Sequence, residues 1–246
     1  MINLDSVLAL LAVPEENINL FSLRRSKRAK RLIFKPSVRN GFEIVLPRFY
    51  DDNWVLKTVS KSKSNIEKSI SEIKEARTEL KPLSIALPLT GNFWKVTYRE
   101  VNAKESYSIT ETSTTLTVPE KTGDVFGTST ALQQWLHGKA MEYLPHYLHD
   151  LSIKLKLPYN KIQIKRQKTL WGSCSINGNI NLNRNLMLMP TEVVDYVLHH
   201  ELVHLKVLNH SSKFWQELER SFPNHKKGRM QLKYFESNKI PEWALV

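Results

Sequence analysis

The chain reads as an α+β protein in two parts. A β-rich N-terminal module covers residues 1–124, and a second module covers 125–246 with a backing helix, a small sheet, a helix carrying two histidines and a closing helix. Three observations predict this. Turn signals and strand-like alternation dominate residues 20–60 and 82–120. Apolar residues at helical spacing dominate 131–156 and the stretch from Thr191 to Phe222. Between the halves, Gly123 to Thr130 has the composition of a linker.

The elements follow in order. Residues 1–17 suit a short helix and turn. Within 20–60, Arg39-Asn40-Gly41 and Asp51-Asp52-Asn53 mark turns between strands. Lys61 to Lys81 is rich in Ser, Glu and Lys, with Ile66, Ile70, Ile73 and Ala76 at helical spacing, which predicts an amphipathic surface helix. Residues 82–120 return to alternation. Trp94, Val96 and Tyr98 share one side, and Ser106 to Ile109 and Thr114 to Val118 follow. A helix fits Ala131 to Lys156, carrying Leu132, Leu136, Ala140, Leu144 and Leu148; Pro145 lacks an N–H, so a kink or break is expected there. Gly178 to Asn183 alternates Ile180 and Leu182 with Asn179, Asn181 and Asn183, and is a candidate edge strand beside a cleft. A helix from Thr191 to Leu208 has Thr191 to cap it, Glu192 at its positive end and Val193, Val194, Val197, Leu198 and Leu202 as apolar body. Ser211 or Ser212 then starts a second helix, with Phe214, Leu218 and Phe222 on one face and Pro223 ending it.

The chemistry concentrates in His200-Glu201-Leu202-Val203-His204 and the following Asn209-His210. Residues four apart on a helix lie about 40° apart around its axis, so His200 and His204 can aim both imidazoles at one ion. Glu201 sits roughly 100° from His200 and 60° from His204 on the same wheel, beside the ion, suited to hold a metal-bound water as general base rather than to be a ligand. A catalytic zinc takes three protein ligands and keeps a fourth position open. His210 supplies the third if the helix stops and the chain doubles back, with Asn209 as a residue that tolerates the left-handed turn. The expected ligand set is therefore His200, His204 and His210, the cofactor Zn2+, and the catalytic base Glu201. Metzincins share this histidine spacing but have glycine where Val207 stands, so the turn here must be built differently. His199 projects to the other side and reads as a packed or surface residue.

Beyond that string, Trp171-Gly172-Ser173-Cys174, Gly178-x-Ile180-x-Leu182-Asn183, Leu186, Pro190, Asp195-Tyr196-Val197 and His210-Ser211-x-x-Phe214-Trp215 resemble the YgjP-like family of metal-dependent hydrolases. The resemblance is dense from Lys161 to Pro223 and thinner over Ser26 to Leu32 and Phe42 to Pro47. It implies a zincin-like metallopeptidase module, similar to WLM and SprT-type metalloproteases, with zinc and hydrolysis. It leaves the substrate open.

Composition sets the outer bounds. A chain of 246 residues with 41% apolar content can bury a sizeable core. The single Cys174 excludes an internal disulfide framework, reads as a small buried hydrophobe rather than a nucleophile, and suits a cytoplasmic, reducing compartment. No stretch approaches the ~18 apolar residues of a membrane span, and Ser6 to Val13 lacks the basic flank of a signal peptide. The net charge of +12 favours polyanions, with the densest run at Arg24 to Arg31. That run is either a solvated basic face or a surface for non-specific nucleic acid or nucleotide contact; no DNA-reading motif accompanies it. Trp171 reads as a sheet brace before a site wall. Tyr234, Arg229 and His225 are open alternatives for stabilising an oxyanion. A metallopeptidase acting on peptide or protein substrates leads. A nucleotide or phosphoanhydride hydrolase, and a nucleic-acid-associated module with a structural metal, are the competing classes. Oligomeric state is not legible.

Overall fold

Asn3 opens the first helix with a capping box, its side chain accepting from Ser6 N–H while Ser6 Oγ accepts from Asn3 N–H. The computed structural model describes residues 2–167, 170–238 and 240–245. They form two compact units, residues 2–80 and 81–245.

In the first unit α1 (Leu4–Leu11) leads through a 3-10 turn, Glu15–Leu20, into β1 (Phe21–Arg25), β2 (Ile33–Ser37) and β3 (Gly41–Leu46). The sheet order is β1-β3-β2, with β1 parallel and β2 antiparallel to β3. Gly41 is required where the chain enters β3: its φ is +74°, and a Cβ there would sit 2.1 Å from Leu20 O. Asp51-Asp52-Asn53, a turn signal by composition, starts α2 (Asp52–Lys61) instead, because the Asp51 carboxylate accepts from Trp54 N–H at 2.7 Å. The amphipathic helix is α3 (Lys63–Thr78), burying Ile66, Ile70 and Ile73 as its spacing requires. These join Val7, Leu11, Phe42, Ile44, Val55 and Val59 in one apolar core.

The second unit begins with β4 (Ser84–Leu87), β5 (Asn92–Glu100), β6 (Thr110–Glu111) and β7 (Thr115–Glu120), in the order β4-β5-β7-β6. Trp94 and Val96 are buried, as the alternation predicts, whereas Ser106 to Ile109 form no strand. The Trp94 ring meets Trp135 of α4 (Gly127–Leu155) edge-on at 5.3 Å. The second sheet thus belongs with α4, and the units part at Leu80–Lys81 rather than near residue 124. The glycine-bearing stretch is the helix start, where Asp124 accepts from Gly127 N–H at 2.8 Å. Helix α4 runs unbroken through Pro145. The carbonyl that loses its partner belongs to Met141, whose side chain is exposed, so water can satisfy it.

Next come β8 (Lys161–Lys165), β9 (Gly172–Cys174) and β10 (Asn179–Asn183), ordered β8-β10-β9. The strand read as an edge, β10, is central, and the three-residue β9 is an edge. A 3-10 segment, Arg184–Leu188, leads to α5 (Thr191–Val203), followed by α6 (Ser212–Ser221), α7 (His225–Asn238) and α8 (Glu242–Leu245). Buried Arg184 ties this end together, donating to Gln133 O, Gln133 Oε1 and Ala244 O. Gln133 Nε2 in turn donates to Trp243 O at 2.7 Å.

Candidate metal centre

Helix α5 is buried on most of its faces and is held on several sides, which fixes the direction of its last turn. Tyr147 of α4 donates to Asp195 Oδ1. Gly228 of α7 comes so close that a Cβ there would lie 2.6 Å from Tyr196 Cβ. His199 is buried, its Nδ1 2.8 Å from Asp195 O and its ring stacked on Phe222, which is the packing role expected of it.

The helix stops at Val203, five residues earlier than its apolar pattern suggests. His204 is the C-cap, and its Nδ1 donates to Val207 O at 3.0 Å. The residue standing where a metzincin has glycine thus supplies the carbonyl that orients a histidine, leaving Nε2 with a free lone pair. Among the described non-glycine residues positive φ occurs at Ala12 and Lys156, so Asn209 does not turn left-handed. Instead its side-chain oxygen accepts from Ser211 N–H at 3.3 Å, a local Asx-type turn. Ser211 caps α6 by position, and Trp215 Nε1 donates back to His210 O at 3.2 Å. Phe214, fully buried, sets its ring 4.5–4.8 Å from all three imidazoles.

The outcome is convergence. His200 Nε2 lies 3.2 Å from His204 Nε2 and 3.0 Å from His210 Nε2. One proton on His200 Nε2 could bridge only one of these contacts. Nitrogens held ~2.0–2.1 Å from one tetrahedral zinc would sit roughly 3.3 Å apart. The donor set therefore fits a shared cation, and these are the three residues among those described that could hold one. Burial drives the His200 imidazole down to about 3 and lowers His204, keeping both neutral as ligands must be.

Glu201 is only 5% exposed, and its Oε2 has no hydrogen-bond partner. Burial pushes its carboxyl up to about 8, and a cation alongside is what would draw it back towards the ionised form. The neighbouring wall is β9: a Cβ on Gly172 would stand 2.6 Å from both Cγ and Oε1 of Glu201. Glycine in the Trp171-Gly172-Ser173-Cys174 stretch thus makes room for the carboxylate. A cleft of about 160 Å³ opens here between Gly172, His200 and Glu201 on one side and Leu232 and Glu236 of α7 on the other. Trp171, expected to brace the sheet, is half-buried and lines this cleft, donating to Glu236 Oε1 at 2.9 Å. Cys174 is half-buried, and burial with Glu201 nearby pushes its thiol up to about 11, away from the reactive thiolate.

Of the three open oxyanion alternatives, Arg229 stacks on Trp215 at 5.0 Å and its charge is felt at both Tyr196 and His200. His225 is buried with its ring 6.2 Å from Trp215, and Tyr234 is half-exposed. Phe214, Trp215, Val207 and Tyr196 had no site role assigned from sequence. The i, i+4 spacing of His210 and Phe214 was the available signal for the first of them.

The YgjP-like metallopeptidase-domain model matches residues 30–235. The chain belongs to the YgjP-like family. No curated protein matches it. Two crystal structures are similar over 37% of the chain, each with a TM-score of 0.32. One is the metallopeptidase zymogen abylysin from Pyrococcus abyssi, 28% identical over 90% of its chain. The other is the metallopeptidase zymogen jannalysin from Methanocaldococcus jannaschii, 27% identical over 91% of its chain. This YgjP-like protein is accordingly a metal-dependent hydrolase of metallopeptidase type, and its family implies a divalent metal that the histidine cluster could hold. Among its described residues no helix is long and apolar enough to cross a membrane.

Proposed function

We propose that the protein is a zinc-dependent peptidase in which His200, His204 and His210 hold the ion and Glu201 is the general base. The observation that carries this is the convergence of three Nε2 atoms beside a buried carboxyl with an unpartnered oxygen. Zinc, when bound, supplies a Lewis acid that acidifies water towards ~7 and polarises a carbonyl. Glu201 takes the proton at its carboxylate and passes it to the leaving amine. Phe214 excludes water from behind the imidazoles, Val207 O orients the His204 ring, and Trp215 stacks on the His210 ring while bonding that residue's backbone carbonyl.

An extended substrate chain has a docking edge at β9. Trp171 O and Ser175 N–H bond across to β10, at 2.8 and 2.9 Å. In an antiparallel ladder the intervening Gly172 and Cys174 turn their backbone groups to the other side. A peptide adding there would run beside Gly172, against which the Glu201 carboxyl packs. The lone Cys174 fits a cytoplasmic setting.

Elemental mass spectrometry of wild type and His204→Ala tests the site, with about one zinc per chain expected in the first and loss in the second. Peptide cleavage by the zinc-loaded wild type tests the reaction. Nucleotide hydrolysis without peptide cleavage would overturn the peptidase reading. Absence of any bound transition metal after zinc is supplied would overturn the metal reading.

A further inference from the structure

The first unit carries a concentration of charge that the metal site does not use. Residues 24–48 contain nine lysines and arginines against the single acid Glu43, whose carboxylate is engaged by Arg24 at 2.6 Å and Lys35 at 3.8 Å. Topology gathers much of the rest at one place. Because β1 is parallel to β3 and β2 antiparallel, β1 and β3 end where β2 begins. The loops 26–32 and 47–51 therefore leave the same end of the sheet. Two bonds hold their bases together: Ser26 N–H to Leu46 O at 2.9 Å, and Arg25 Nη2 to Tyr50 OH at 2.7 Å. Lys27, Arg28, Lys30 and Arg31 are exposed, and none has a carboxylate partner among the described residues.

Aromatic rings stand among these cations. Phe49 is 81% exposed, with the Arg48 guanidinium 5.0 Å from its ring centre. The Arg25 guanidinium lies over Tyr50 at 5.4 Å. A bare phenyl ring in a polar loop gains nothing for folding, but it is a flat face on which a base can stack. Unpaired ammonium and guanidinium groups alongside suit phosphates. We infer that this end of the first unit's sheet is a binding surface for single-stranded nucleic acid. Phe49 stacks a base, Tyr50 packs against the core and holds Arg25 in place beside it, and the 26–32 loop contacts the backbone. No helix is presented for a duplex groove, so recognition is sequence-tolerant. An anionic bilayer fits less well, because the exposed face of α2 beside this edge carries Asn53, Lys57 and Ser60 with Trp54 rather than an apolar stripe.

The test uses the full chain and fluorescence anisotropy with a labelled mixed-sequence 20-mer, single-stranded and duplex, between 50 and 200 mM salt. Co-flotation with phosphatidylserine vesicles is measured in parallel. Single-strand binding is expected to exceed duplex binding. Phe49→Ala should weaken it about tenfold with the salt slope unchanged. Replacing Lys27, Arg28, Lys30 and Arg31 by Ser should flatten the log–log salt slope by about 3. Both changes lie at exposed positions, and circular dichroism verifies that the fold is kept. Equal affinity for duplex, insensitivity to Phe49→Ala, or binding to vesicles but not to the 20-mer would each overturn the inference.

Discussion

Glu201 and Gly172 are fitted to each other at the scale of single residues, because the space a side chain at 172 would fill is taken by the Glu201 carboxyl. The carboxyl sits against the glycine so closely that a methyl group would have to share its space. Glu201→Gln keeps the shape and removes the proposed base. Metal content should stay at wild-type level while kcat falls about 10²–10⁴-fold, the range typical of a general base. Unchanged turnover on a peptide substrate would remove Glu201 from that role. Gly172→Ala tests position rather than chemistry. The added Cβ pushes the carboxyl aside, and a displacement near 1 Å costs about 10²-fold in rate with zinc retained. Metal analysis and steady-state kinetics on the same preparation separate the two. His210 differs from His200 and His204 in being exposed and carried on a turn. His210→Ala should weaken zinc binding about tenfold or more without unfolding the chain, as competition with a chromophoric chelator reads; unchanged affinity would place the third ligand elsewhere.

Secondary-structure elements carry the positions of those residues, and their legibility follows from how local their causes are. Helix α3 could be read from Ile66, Ile70 and Ile73 because one face is buried and the rest solvated. The end of α5 could not, since apolar spacing continues to Leu208 while the stop is made by His204 bonding Val207 O, a contact that depends on the fold of the turn. The approach of His200 to His204 was legible from spacing because four residues on a helix fix an angle, and the return of His210 to them depends on the turn. The edge strand was not. β9 is three residues long with no alternation to detect, so the better-patterned β10 took its place in the sequence reading. Asp51 shows a related ambiguity, one side chain serving both as turn former and as N-cap. The closing segment α8 had no sequence signature, because its anchor is a buried network 110 residues away in sequence, from Gln133 to Trp243. That network gives a prediction for the element. Gln133→Leu takes an acceptor from the buried Arg184 guanidinium and a donor from Trp243 O, and should cost about 2–4 kcal/mol in urea unfolding. A loss below 0.5 kcal/mol would mean the segment is held by the Trp243 ring alone.

For the whole molecule, the relevant fact is that each unit has its own apolar core and that, among the described residues, the histidine cluster that could hold a metal lies in the second. The first unit closes around Val7, Phe42, Ile44, Val55 and Ile66 without any contribution from the histidine cluster. In the second, the turn from His204 to His210 is short of regular structure and is organised by what its imidazoles face. A bound ion stabilises the state that holds it by about 4 kcal/mol when free zinc exceeds Kd a thousandfold. That energy should act where the ligands are. Chelation is therefore expected to raise amide exchange in α5, α6 and the turn between them by several orders of magnitude, while α1, α3 and β3 keep their protection. Hydrogen exchange read by mass spectrometry on zinc-loaded and chelated protein measures this peptide by peptide. If α3 and β3 lost protection together with α5, the two cores would be opening as one cooperative unit, and zinc would be a stabiliser of the entire chain rather than of its hydrolase unit.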